Sequence, residues 1–175
     1  MFKVRSLYFT AALSALLTFA AVASAKYKVD RPSIVFHAHG PGGLKIDGKS
    51  STLKISEDDK SVTFKTYMNT LDTGIGKRND HMQKRFKASD YPEITLTVSK
   101  DKIDAHKGGT VPGTLNFHGK SKSVNVTYKV DGKHIDASFG FNVKDYGITD
   151  DDVCELGVCA KPDVSVDVSF DLGEG

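Results

Sequence analysis

From Lys26 onward the chain alternates apolar and polar positions with period two. Ser33-Ile34-Val35-Phe36-His37-Ala38-His39 is a β-branched and aromatic run closed by Gly40-Pro41-Gly42-Gly43. Leu44 to Ile55 makes a second extended stretch, interrupted by Asp47-Gly48 as a turn or bulge. Val62, Phe64, Thr66 and Met68 share one face of a third run, and Ile94, Leu96 and Val98 share one face of a fourth. Leu115 and Phe117, then Val124, Val126, Tyr128 and Val130, then Phe139, Phe141 and Val143 continue the pattern. Val164, Val166, Val168 and Phe170 alternate with Ser165, Asp167, Ser169 and Asp171 at the end. One apolar and one polar face per run is the signature of antiparallel strands wetted on one side. Turn signals separate the runs at Glu57-Asp58-Asp59, Lys107-Gly108-Gly109, Gly119-Lys120 and Asp131-Gly132.

One segment departs from this period. Between Gly76 and Ser89, Arg78, Met82, Arg85 and Phe86 recur at helical spacing, Asn79 or Asp80 lies near a start, and Pro92 forbids continuation. The spacing predicts a helix of two to three turns. A single short helix cannot cover about eight alternating strands, so their apolar faces must meet each other. The expected fold is all-β: an eight-stranded antiparallel barrel with the helix across one mouth. A barrel of that size either fills its own interior or holds one small ligand. Large inward residues mixed with slim ones such as Ala38 and Thr66 suit both outcomes.

The first 25 of the 175 residues read as an export signal: a short basic start with Lys3 and Arg5, an apolar stretch from Leu7 to about Ala21, and Ala23-Ser24-Ala25 for cleavage. Residues 26–175 are then one folding domain of ordinary size. Two of the 24 Lys and Arg leave with the signal, so the remaining basic residues equal the 22 Asp and Glu. No global positive field is left to attract nucleic acid. At 39% hydrophobic residues the composition is globular. Export implies an oxidising compartment, where the isolated pair Cys154 and Cys159 is most simply a disulfide. The spacing is wrong for a redox pair with two intervening residues, and no further cysteine completes a thiolate metal site.

Catalytic signatures are missing: there is no nucleophile elbow, phosphate-cradling glycine loop or zinc-protease motif. Asp72, Asp80 and Asp145 have no partner in the sequence that would make them acids or bases, and the expectation is a protein without catalysis. His37 and His39 point to one strand face at a spacing able to hold a metal, with His81 and His118 as further donors if the fold gathers them. Hydrogen-bonded structural histidines are the commoner outcome, and no metal site is assigned. Lys77, Arg78, Lys84, Arg85 and Lys87 stand against Asp80 on the helix. Such a patch serves equally as a solvated face, a cradle for a polar head group, or a transient contact with an anionic membrane.

Four further stretches carry a resemblance. Tyr27-Lys28-Val29-Asp30 with Ser33-Ile34-Val35-Phe36 and His39, then Lys77-Arg78-Asn79-Asp80-His81-Met82 through Tyr91-Pro92-Glu93-Ile94, come first. Gly113-Thr114-Leu115-Asn116-Phe117-His118-Gly119-Lys120-Ser121-Lys122 and Lys144-Asp145-Tyr146-Gly147-Ile148 follow in order. The mature chain resembles the YceI-like family of periplasmic polyisoprenoid-binding proteins across nearly its whole length. It departs in a shorter stretch from Gly43 to Ser61 and in its cysteine insert. The resemblance implies a lipocalin-like barrel in the periplasm that holds a long isoprenoid, quinone or fatty-acyl chain without reacting with it, and a homodimer. The residues expected to line the tunnel are Phe36, Phe64, Met68, Leu96, Leu115, Phe117, Phe141, Val166 and Phe170, with Met82 and Phe86 at the helix-covered mouth. The other reading is a self-packed β-domain serving as a periplasmic interaction module through its stapled loop.

Overall fold

The computed structural model describes residues 27–104, 106–149, 154–155 and 158–174. The expected signal segment, 1–25, lies outside the described residues.

Nine antiparallel strands form one sheet: β1 (Tyr27–His39), β2 (Lys45–Ser50), β3 (Lys54–Glu57), β4 (Ser61–Tyr67), β5 (Glu93–Ser99), β6 (Gly109–Phe117), β7 (Lys120–Asp131), β8 (His134–Asn142) and, last in the chain, β11 (Asp163–Glu174). Between β8 and β11 a small ribbon, β9 (Cys154–Glu155) with β10 (Val158–Cys159), carries the Cys154–Cys159 disulfide. The order in the large sheet is β2-β1-β11-β8-β7-β6-β5-β4-β3. It curls into a lipocalin-like half-barrel with the inward faces of opposite walls toward each other. The strand count is nine rather than eight because Leu44 to Ile55 is two strands, divided at residues 51–53. β2 and β3, the two edges, do not pair; β2 is instead capped by a two-way backbone bridge, Lys49 to Asp72, at 2.7 and 2.8 Å.

Period two is visible as burial. Along β6, Val111, Gly113, Leu115 and Phe117 are buried while the intervening residues are exposed, and β7 repeats this with Val124, Val126 and Tyr128. The β6–β7 hairpin turns on His118-Gly119, both in the left-handed region (φ 51° and 70°), as a two-residue turn matched to strand twist requires. Asp47-Gly48 is neither turn nor bulge. Gly48 pairs with Phe36 inside the sheet, and a Cβ there would lie 2.0 Å from the Phe36 ring, so only glycine lets that ring cross β2.

The helix α1 spans Gly76–Arg85 and its chain continues through hydrogen-bonded turns to Tyr91. It starts earlier than Asn79, whose amide clamps the approach loop: its Oδ1 accepts from the Thr73 backbone and hydroxyl at 2.9 and 2.7 Å, and its Nδ2 donates to Asp72 at 2.7 Å. Beneath the helix end, the 3₁₀ turn Val143–Tyr146 inserts a plug. Tyr146 is 1% exposed, with its ring 5.5 Å from Phe117 and 5.4 Å from Phe141. The Lys144-Asp145-Tyr146-Gly147-Ile148 stretch is therefore a structural insert, with Gly147 at φ 84° ending the turn.

Candidate ligand cavity

The walls do not fill the interior. The half-barrel encloses a cavity of about 670 Å³, within the ordinary range for ligand sites.

Strand alternation builds the wall. β1 contributes Ile34, Phe36 and Ala38; β4 contributes Val62, Phe64 and Thr66; β8 and β11 contribute Ala137, Phe141, Val166 and Phe170. Ile94, Leu96 and Val98 enter from β5, and Leu115 and Phe117 from β6. Met82 and Phe86, four residues apart on α1 and its C-terminus, close the end where β4 finishes and β5 begins. The Phe86 ring meets Phe117 edge-on at 5.4 Å, which joins the helix to the wall. Phe64 and Phe170 approach across the interior at 5.9 Å.

All eleven residues expected along the tunnel border this cavity. Residues beyond that set, such as Ile55, Ile103, Ile135, Phe139, Val164 and Leu172, also border it. For all of these but Ile103, which follows the 3₁₀ turn Lys100–Lys102, the signal was the same period-two strand face.

Polar side chains on the wall are few. Lys100 pairs with Glu57 at 2.8 Å and Lys65 with Glu93 at 2.9 Å. The Tyr128 hydroxyl accepts from the Asp104 N–H at 2.6 Å and donates to the Asp104 carbonyl at 3.2 Å. Thr66, 8% exposed, has a hydroxyl with no partner.

The histidines do not converge. His37 lies on the outer face of β1, its Nδ1 2.7 Å from Asp47 on β2 and its Nε2 3.1 Å from Asp167 on β11. The hydrogen bond to Asp47 is the main cause that holds His37 above its ordinary pKa; desolvation opposes it, and the bond to Asp167 adds to it. His118 Nδ1 donates to the Tyr146 carbonyl at 3.0 Å under the Tyr91 ring, and His81 is exposed on α1. Among the described residues no cluster of three or more His, Cys, Asp or Glu side chains could hold a metal. The three aspartates considered for acid–base work lie outside the cavity. Asp72 accepts from Asn79 and the Gly74 N–H, which hold its pKa below the ordinary carboxylate value, and Asp80 and Asp145 are exposed. The basic side chains of α1 and its exit, Lys77, Arg78, Lys84, Arg85 and Lys87, are at least partly exposed at the covered mouth.

Fold and cavity together define a lipocalin-like antiparallel half-barrel with an apolar interior and a helix at one end. A family model described as the YceI-like domain matches residues 15–172. The chain belongs to the YceI-like family. Its fold is shared with a polyisoprenoid binding domain from Saccharophagus degradans implicated in plant cell wall breakdown, at 18% identity and a TM-score of 0.65, covering 87% of this chain and 100% of that one. It is also shared with BcnA of Burkholderia cenocepacia, at 17% identity and a TM-score of 0.65, covering 83% of this chain and 99% of that one. No curated protein sequence matches the chain.

Proposed function

We propose that this protein is an exported carrier or store for a long apolar lipid, an isoprenoid chain foremost, which it holds inside the half-barrel without reacting with it. The observation that carries this reading is the cavity itself, about 670 Å³ bounded almost wholly by hydrocarbon side chains. A lipid tail needs little more: each buried CH₂ contributes ~0.8 kcal/mol, so ten of them give ~8 kcal/mol, near micromolar binding before polar contacts are added. The hollow interior argues against the self-packed interaction module. The polyisoprenoid-binding domain with the same fold supports the choice of ligand class. The signal-like start and the Cys154–Cys159 bond support export into the periplasm. The basic helix at the covered mouth supports transient contact with an anionic bilayer during loading.

Native mass spectrometry of the protein purified from its exported form, followed by organic extraction, tests this. The expected result is an adduct of several hundred daltons that releases an isoprenoid or acyl chain. A bare mass, with no uptake of added quinone or polyprenol, would sink the reading. The same spectrum reads whether the exported protein is the homodimer the family resemblance implies.

A further inference from the structure

We propose that Thr66 reads the head group of the bound lipid, and that the head is neutral, carrying a hydroxyl or carbonyl oxygen that sits beneath the helix while the hydrocarbon tail runs toward Leu172. This rests on the lipid-carrier reading above and deepens it.

Five wall residues have polar side chains: Glu57, Lys65, Thr66, Lys100 and Tyr128. Four are already engaged. Glu57 and Lys100 neutralise each other, Lys65 is held by Glu93, and the Tyr128 hydroxyl is bonded twice to the Asp104 backbone. The wall thus offers no uncompensated cation, and a carboxylate or pyrophosphate drawn inside would be a buried charge without a partner. A neutral head escapes that penalty.

Thr66 is the exception. Three buried side-chain polar atoms among the described residues lack any hydrogen-bond partner, Thr66 Oγ1, His118 Nε2 and the Tyr146 hydroxyl, and of the three residues only Thr66 borders the cavity. It lies between Phe64 and Met68 on the inward face of β4, opposite Ile94 of β5, at the end closed by Met82 and Phe86. Its hydroxyl is tucked against the wall. Rotation about χ1 exchanges hydroxyl and methyl and sacrifices no hydrogen bond, because there is none to lose. An oxygen-bearing head at this depth gives the hydroxyl the partner the protein does not supply. A pure hydrocarbon leaves it orphaned.

The test uses lipid-extracted protein and three probes of equal chain length displacing an apolar fluorescent dye: an alkane, a primary alcohol and the ionised fatty acid. The wild type is expected to bind the alcohol most tightly. Thr66→Val, which keeps the shape, should weaken the alcohol roughly tenfold and leave the alkane unchanged. Thr66→Ser, which keeps the hydroxyl, should retain most of the alcohol affinity and guards against a packing effect. Equal alcohol affinity in wild type and Thr66→Val, with alkane binding intact, would overturn the role of Thr66 and leave the carrier reading standing. Tighter binding of the fatty acid than the alcohol would overturn the neutral head and place a charged one on the basic helix. Binding of none of the three by the wild type would defeat the carrier reading, and this inference with it.

Discussion

Ala137 is the position at which lipid binding and stability should move in opposite directions. It sits in the middle of β8, opposite Val168 of β11 and Tyr128 of β7, and all three border the cavity. Ala137→Phe extends a ring into a hollow of about 670 Å³ rather than into packed atoms, so the usual overpacking cost does not apply. In the empty protein the ring gains burial worth ~1.5–3 kcal/mol, less its lost rotamer freedom, for a net of about 1 kcal/mol and a rise in Tm of ~3 °C. In the loaded protein the ring takes the place of about four chain carbons, at ~0.8 kcal/mol each, which weakens a lipid filling the cavity by ~3 kcal/mol, or roughly 200-fold. Thermal melts of lipid-extracted protein and titration of a long-chain lipid read the two effects separately. Ser138→Phe, one residue along on the outer face of the same strand, is the control and should leave affinity unchanged. A lowered Tm with undiminished affinity would mean that the space beside Ala137 is not where the lipid lies.

Three other expectations follow from the geometry. Replacing both cysteines, Cys154→Ser with Cys159→Ser, releases a loop of sequence separation 5 and should cost ~2 kcal/mol in the chain-entropy account, read by urea unfolding; no change would mean that the ribbon unfolds independently of the half-barrel. The His37 ring should titrate by NMR above its ordinary 6.5, and Asp47→Asn should lower that midpoint more than Asp167→Asn, because the Asp47 bond is the larger cause. Since the folded value is raised, this stabilisation is complete below 6.5 and is lost as pH rises through the folded midpoint; a midpoint at or below 6.5 would refute the paired geometry. Tyr146→Phe removes a buried hydroxyl that has no partner, whose desolvation holds its pKa up. It should stabilise by up to about 1 kcal/mol in thermal melts, whereas a loss above 1 kcal/mol would reveal a hydrogen bond to that hydroxyl.

The wall of the cavity was legible in the sequence because a strand has a fixed period. Once Phe64 faces inward, Val62, Thr66 and Met68 are placed near the same face by the pleat and the turn that follows, and the same logic carried Leu115 to Phe117 and Val166 to Phe170. The helix was legible for the matching reason, with Met82 and Phe86 on one stripe at 3.6 residues per turn. What period cannot encode is distance across the fold. Asp47-Gly48 carries the composition of a turn, yet its glycine answers to the Phe36 ring on the neighbouring strand. His37 and His39 share a face at a metal-binding interval, yet His37 is claimed by Asp47 and Asp167, the latter 130 residues away, and only the register of β2, β1 and β11 brings the two carboxylates to it.

Whether the interior is full or hollow belongs to the same class. The inward residues of a solid barrel and a hollow one have the same alternation, and the difference lies in how far the sheet must curl before its edges meet. Here β2 and β3 remain unpaired, and β2 is tied instead to the segment after β4 by the Lys49–Asp72 backbone bridge and the Ser50–Thr70 hydroxyl hydrogen bond, which leaves a wider girth than full closure of the same strands would. The short stretch from Gly43 to Ser61, which makes those two edge strands only six and four residues long, is therefore tied to the width of the cavity and not only to the length of a loop. With the edges apart, the rings of Phe36, Phe64, Phe141 and Phe170 line the hollow instead of filling it. On the proposed carrier reading, a lipid tail fills that space. A sequence pattern that specifies only inside and outside thus leaves it to the geometry of the edges whether the interior is solid or hollow.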